Sequence, residues 1–182
     1  MTQTDFKNTV GAALNEIKHI FDNTDDNPIS GFINEIIRAK NIYFFGAGRS
    51  RLMLSAIAMR FMHIGLAAYV VGDVTTPAIT DKDLLIVASG SGETASVCLI
   101  TSKAKAVGAR IALITSKPDS TLLRLSDVHI ILPALKQTAQ IGGSSFEQST
   151  LILGDCLVVL LAKELNIVDT QASLIKLHIN LE

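Results

Sequence analysis

Five short apolar runs separated by helix-length segments constrain this chain more than any other feature. Residues 41–45, 67–71, 84–88, 111–115 and 128–132 each have the length and the aliphatic or aromatic content of a buried strand. Between them, 51–63, 94–107 and 121–125 carry apolar residues at helical spacing. Such alternation predicts an α/β fold with a parallel sheet covered on both faces. Ligands of such sheets sit outside the carboxyl ends of the strands. Two Gly/Ser turns fall there, Gly46-Ala47-Gly48-Arg49-Ser50 and Ser89-Gly90-Ser91-Gly92-Glu93-Thr94.

The second turn joins a strand to a helix, the arrangement that aims free backbone N–H groups at an anion. Gly90 and Gly92 allow close approach, and Ser89, Ser91 and Thr94 add hydroxyl donors. No lysine lies in this stretch and no P-loop pattern is present, so it is not a nucleotide P-loop. A hydroxyl-rich cradle suits the phosphate monoester of a small metabolite; the plainer reading is a turn that caps a helix. In the first turn the dinucleotide fingerprint is broken, because Arg51 stands where Gly or Ala is required. Arg49 and Arg51 serve as cations for a phosphate or sugar hydroxyl, with Ser50 as a donor, or each Arg pairs with a carboxylate.

The rest of the chain bounds the function by exclusion. With 16 Lys+Arg against 17 Asp+Glu, no Trp and 5% aromatics, there is neither a basic footprint nor a base-stacking platform, so no nucleic-acid partner is expected. Cys98 and Cys156 fall in predicted helices and are expected to be buried thiols. No HExxH, DxD or His/Cys cluster occurs, so no catalytic metal is expected. The amino terminus lacks an apolar signal core, and the greasy window 52–71 is broken by Arg60, His63 and Gly65, which predicts a cytoplasmic protein with no membrane span.

Helices are predicted at 5–22 and 29–39, as an arm that packs on the domain or on a second subunit. A helix over 146–165 is apolar nearly all round and is expected to be buried, often against another subunit. Glu147 opens that helix after a Gly-rich loop. It is either a dipole partner or, if shielded from water, a general base with a raised pKa. His19 and His129 read as structural. His63 ends a helix, where a cation is favoured, and His178 lies in the carboxyl-terminal tail, where only a docked tail would give it chemistry.

Taken together these stretches resemble the sugar isomerase (SIS) domain family and, within it, the 6-phospho-3-hexuloisomerase family. The resemblance rests on Gly46 to Ser50, Ala58-Met59-Arg60-Phe61-Met62-His63, Val71-Gly72-Asp73-Val74-Thr75-Thr76-Pro77, Ser89 to Thr94, Ser145-Phe146-Glu147-Gln148 and the terminal His178-Ile179-Asn180-Leu181-Glu182. It implies one SIS domain over 1–182, a three-layer α/β/α sandwich with a five-stranded parallel, flavodoxin-like sheet, and a homotetramer. It also implies cofactor-free interconversion of D-arabino-3-hexulose 6-phosphate and D-fructose 6-phosphate through an enediol, the second step of the ribulose monophosphate pathway of formaldehyde fixation. Glu147 carries over as the base and His63 and His178 as acid–base assistants. Gly48, Arg49, Ser50, Ser89, Gly90, Ser91 and Thr94 carry over to the sugar-phosphate site. The chain departs from the family at Arg51, where Gly is usual, and before Phe146, where a proline and a leucine are missing. Two rival readings are a non-catalytic sugar-phosphate-binding module and an SIS aldose–ketose isomerase.

Overall fold

The five apolar runs form one parallel sheet. The computed structural model describes residues 3–180; Leu181 and Glu182 of the terminal motif lie outside that range, as do Met1 and Thr2. The order along the chain is α1 (Gln3–Asp22), α2 (Asn27–Arg38), β1 (Ile42–Gly46), α3 (Gly48–His63), β2 (Ala68–Val70), β3 (Leu84–Ser89), α4 (Ala95–Ala106), β4 (Arg110–Thr115), α5 (Thr121–Leu125), β5 (Val128–Ile131), α6 (Ser144–Glu164) and α7 (Thr170–Leu177). The strand order is β2-β1-β3-β4-β5 with every pairing parallel, the flavodoxin-like arrangement.

Strand periodicity divides the core in two. Phe44, Leu84, Ile86, Ala88, Ala112, Ile114 and Ile130 face one layer, where Phe32 and Ile36 of α2, Leu54 and Phe61 of α3, and Leu153, Leu157 and Leu161 of α6 pack against them. Tyr43, Leu85, Val87, Ile111 and Leu113 face the other layer, with Val97 and Ala104 of α4 and Leu122 of α5. A strand buried on both faces needs no polar alternation, hence the continuous apolar runs.

The leading helices belong to the first layer. Ile20, Phe32 and Ile36 are buried, while Phe6, Val10 and Leu14 on another side of α1 are exposed. Among the described residues α6 is the one helix long and apolar enough to cross a membrane, and half of that apolar window is buried within the fold. The expected all-round burial does not hold in the protomer: Ile152 and Val159 are exposed. Cys156, on α6, is likewise exposed, because α6 packs its inner side on α3, α1 and α2 and leaves its outer side open; Cys98, on α4, is only half-buried.

Candidate active site

In the observed order β1 stands between β2 and β3. Its connection to α3 leaves on one face of the sheet, and the connection from β3 to α4 leaves on the other. At such a switch point a crevice opens beyond the strand ends. The crevice holds a cavity of about 400 Å³ lined by Ser50, Gly90, Ser91, Ser116, Lys117, Ser145, Phe146 and Glu147, among others.

Three elements bring these side chains together. The helix after β1 starts earlier than the sequence suggests, at Gly48, so Arg49 and Ser50 sit in its first turn and not in a preceding loop. Gly48 itself, with φ of 55°, opens the helix and does not line the cavity. The first turn of α6 docks on the Ser/Gly turn: a Cβ on Gly90 would stand 3.3 Å from the Phe146 ring. Docking in this way puts Glu147 on the cavity wall. Its side chain is 15% exposed, and Oε2 lies 2.7 Å from Arg49 Nε. Arg51 instead pairs with Asp73 at 3.3 Å, away from the cavity lining. Both arginines thus have a carboxylate partner, and for Arg49 it is the proposed base.

Within the Ser/Gly turn the hydroxyls divide their work. Ser89 is buried; its Oγ lies 3.0 Å from Thr94 Oγ1 and accepts from Gly92 N at 3.2 Å. Neither Ser89 nor Thr94 lines the cavity; they shape the turn from behind. Ser91 does line it. Gly92 adopts φ of 66°, and a Cβ there would run into the Ser120 side chain. Thr115 Oγ1 donates to Ser89 O at 2.8 Å and Ser116 N donates to Gly90 O at 3.2 Å, so the loop after β4 braces the turn. Glu93, the one acid in the turn, accepts from Thr121 N at 2.6 Å at the start of α5. That bond and one from the Thr121 side chain hold its carboxyl below the ordinary value.

His63 and His178 are brought together, but not beside Glu147. Their rings stack at 5.3 Å between centroids, 17° from parallel. Ser173 of α7 donates to His63 O at 2.9 Å and helps dock the tail. Ser50 and His63 occupy opposite ends of α3, about 20 Å apart by the rise of an α-helix. The helix-terminal cation expected at His63 is overturned. The ring is buried, and burial first, then Arg60 and His178, push its pKa below 6.5. Arg60 Nη1 lies 3.4 Å from His63 Nδ1. In the neutral ring that nitrogen accepts and Nε2 carries the proton.

Sequence reasoning did not place Lys117 or Ser116 at the site, and named Ser145 only as part of the family motif. Lys117 lines the cavity and, among the described residues, has no carboxylate within ion-pair distance. Its signal was positional: it follows β4 at the carboxyl edge of the sheet, beside the strand that carries the Ser/Gly turn. Among the described residues no group of three or more His, Cys, Asp or Glu is placed to hold a metal ion.

Residues 35–160 match the SIS domain family. The chain belongs to the SIS domain family. A 3-hexulose-6-phosphate isomerase of Mycobacterium gastri is 41% identical over 151 residues, covering 79% of this chain and 76% of that one. The enzyme of the same name from Bacillus subtilis is 33% identical over 85% of this chain and 88% of its own. A crystal structure from Methanococcus jannaschii, reported as inferring 3-hexulose-6-phosphate isomerase function, superposes on this SIS domain with a TM-score of 0.85. It shares 36% identity, over 95% of this chain and 98% of the other.

Proposed function

We propose that the protein interconverts D-arabino-3-hexulose 6-phosphate and D-fructose 6-phosphate, as a sugar-phosphate isomerase of the ribulose monophosphate pathway. One observation carries the reading: the Glu147 carboxylate and the Ser/Gly turn border the same cavity. The names of its relatives set the substrate.

The reaction moves a carbonyl between C3 and C2 with no net redox change. Glu147 takes the proton from C2 of the 3-ketose, the carbonyl oxygen at C3 takes up a proton, and a 2,3-enediol forms. Collapse of the enediol puts the proton back on C3, releases the O2 proton and leaves the carbonyl at C2. A single carboxylate over both carbons serves both transfers, and such a base contributes about 10²–10⁴-fold. Arg49 aims it through the ion pair. The phosphate lies against the start of α4 and the Ser91 and Ser50 hydroxyls, with Lys117 as its free counter-charge; Ser89 and Thr94 set the shape of the turn. Binding remote from the reacting carbons orients them under the base. The acid–base pair His63 and His178 joins this cavity from a neighbouring subunit of a homotetramer.

The test is fructose 6-phosphate in deuterated water, followed by NMR. Deuterium enters at C3 and the 3-ketose appears; label at C1 instead would indicate an aldose–ketose isomerase, and no label a binding module. Glu147→Gln lowers kcat by about 10²–10⁴-fold while the sugar phosphate still binds. Turnover near wild type in that variant removes Glu147 as the base.

A further inference from the structure

The chain between β5 and α6 roofs the cavity: Pro133, Ala134, Leu135, Thr138, Gly142 and Gly143 all line it. This stretch joins no sheet and forms no helix. Its central residues instead direct their donors to one side chain on α1. Glu16 Oε1 accepts from Ala139 N at 2.5 Å. Glu16 Oε2 accepts from Thr138 Oγ1 at 2.9 Å and from Gln140 Nε2 at 3.1 Å. Thr138 Oγ1 also accepts from Gln140 N at 3.0 Å, which closes the cluster. One helical turn on, Ile20 is buried and lines the cavity, so one side of α1 supplies both a wall and an anchor.

A loop without a ladder of its own is held where its donors find acceptors. Here the acceptors are the two oxygens of one carboxylate, more than 120 residues away in sequence. Burial opposes the charge, but the bonds from Ala139, Gln140 and Thr138 outweigh it and hold the carboxyl below its ordinary value of 4.5. The group is therefore ionised at neutral pH, when its bonds are strongest. Three residues past the cluster the loop reaches Gly143, the N-cap of the helix that carries Glu147.

We infer that Glu16 is a positioning residue: it latches residues 138–140 over the sugar-phosphate cavity and so fixes the entry of α6 and the aim of Glu147. The inference rests on the isomerase reading for its kinetic consequence, but the latch itself is independent of it. Glu16→Gln keeps the shape and removes one acceptor oxygen. With the full-length protein we expect kcat/KM for fructose 6-phosphate to fall roughly 10- to 100-fold, the cost of a misplaced catalytic geometry. Trypsin should cut after Lys136, an exposed residue of the loop, several-fold faster than in wild type, as local opening becomes easier. The melting temperature should change little, because the latch touches no core residue. Gln140→Ala removes one donor from the loop side and should reproduce part of both effects; it decides the matter if Glu16→Gln does not fold. Unchanged kcat/KM and unchanged cleavage in a folded variant overturn the inference. Faster cleavage of Glu16→Gln, in a protein whose wild type turns over no sugar phosphate, leaves the latch standing and removes the isomerase reading instead.

Discussion

At the scale of single residues, charge decides the site. The cavity wall presents Glu147 with its charge already met by Arg49, and Lys117 with no carboxylate partner among the described residues. The phosphomonoester of the proposed substrate would therefore meet the Lys117 ammonium beside the turn. Lys117 is exposed, so its contribution is screened. Lys117→Gln should raise KM about 3- to 10-fold with kcat within about twofold, and flatten the dependence of KM on salt; steady-state kinetics at two ionic strengths checks this. His63 makes the opposite kind of statement. Its folded pKa lies below the unfolded 6.5, so the unfolded chain binds the proton more readily. The stability it supports is complete above pH 6.5 and is lost as pH falls through the folded value. Melting temperatures between pH 8 and 5 should fall more steeply in wild type than in His63→Gln; parallel curves would remove the effect.

At the scale of elements, the Ser89-to-Thr94 turn depends on backbone geometry as much as on hydroxyls. Gly92 is left-handed and presses on Ser120, the residue that caps α5 by accepting from Leu123 N. Gly92→Ala meets both the backbone penalty and the clash, and should cost about 1–3 kcal/mol of stability. For a chain of 182 residues that is several degrees of melting temperature, at roughly 2–4 °C per kcal/mol. The same substitution should raise KM, since the turn proposed to receive the phosphate moves with it. A variant as stable as wild type would show that the turn is more yielding than its packing suggests.

At the scale of the molecule, the proposed base and the two histidines lie apart within one chain. The stacked pair sits at the far end of α3, beside the tail helix α7, and the outward sides of α1, α3 and α6 carry exposed apolar residues such as Leu14, Met59 and Val159. A homotetramer that covers such surfaces can bring one subunit's histidines to another's carboxylate. If so, refolding a mixture of Glu147→Gln and His178→Ala subunits restores activity above either parent alone. Activity no greater than the mean of the two parents would show that each site draws all its groups from one subunit.

Much of this was legible in the chain itself. The apolar runs predicted all five strands within a residue or two, because a strand buried on both faces leaves a continuous apolar signature. The Ser/Gly turn and the helix opening at Glu147 were visible because backbone conformation and helix entry are local properties. Partnership is not local. That Arg49 meets Glu147, that Lys117 reaches the cavity from the next strand, and that Glu16 holds a loop more than 120 residues away depend on which elements the sheet order makes neighbours. The burial that lowers the His63 pKa likewise exists only in the packed chain, where sequence position alone argued for a cation. Residue types and their spacing specify what each segment can offer; only the packed chain determines which offers meet, because electrostatic and hydrogen-bonding partners are chosen by distance in space.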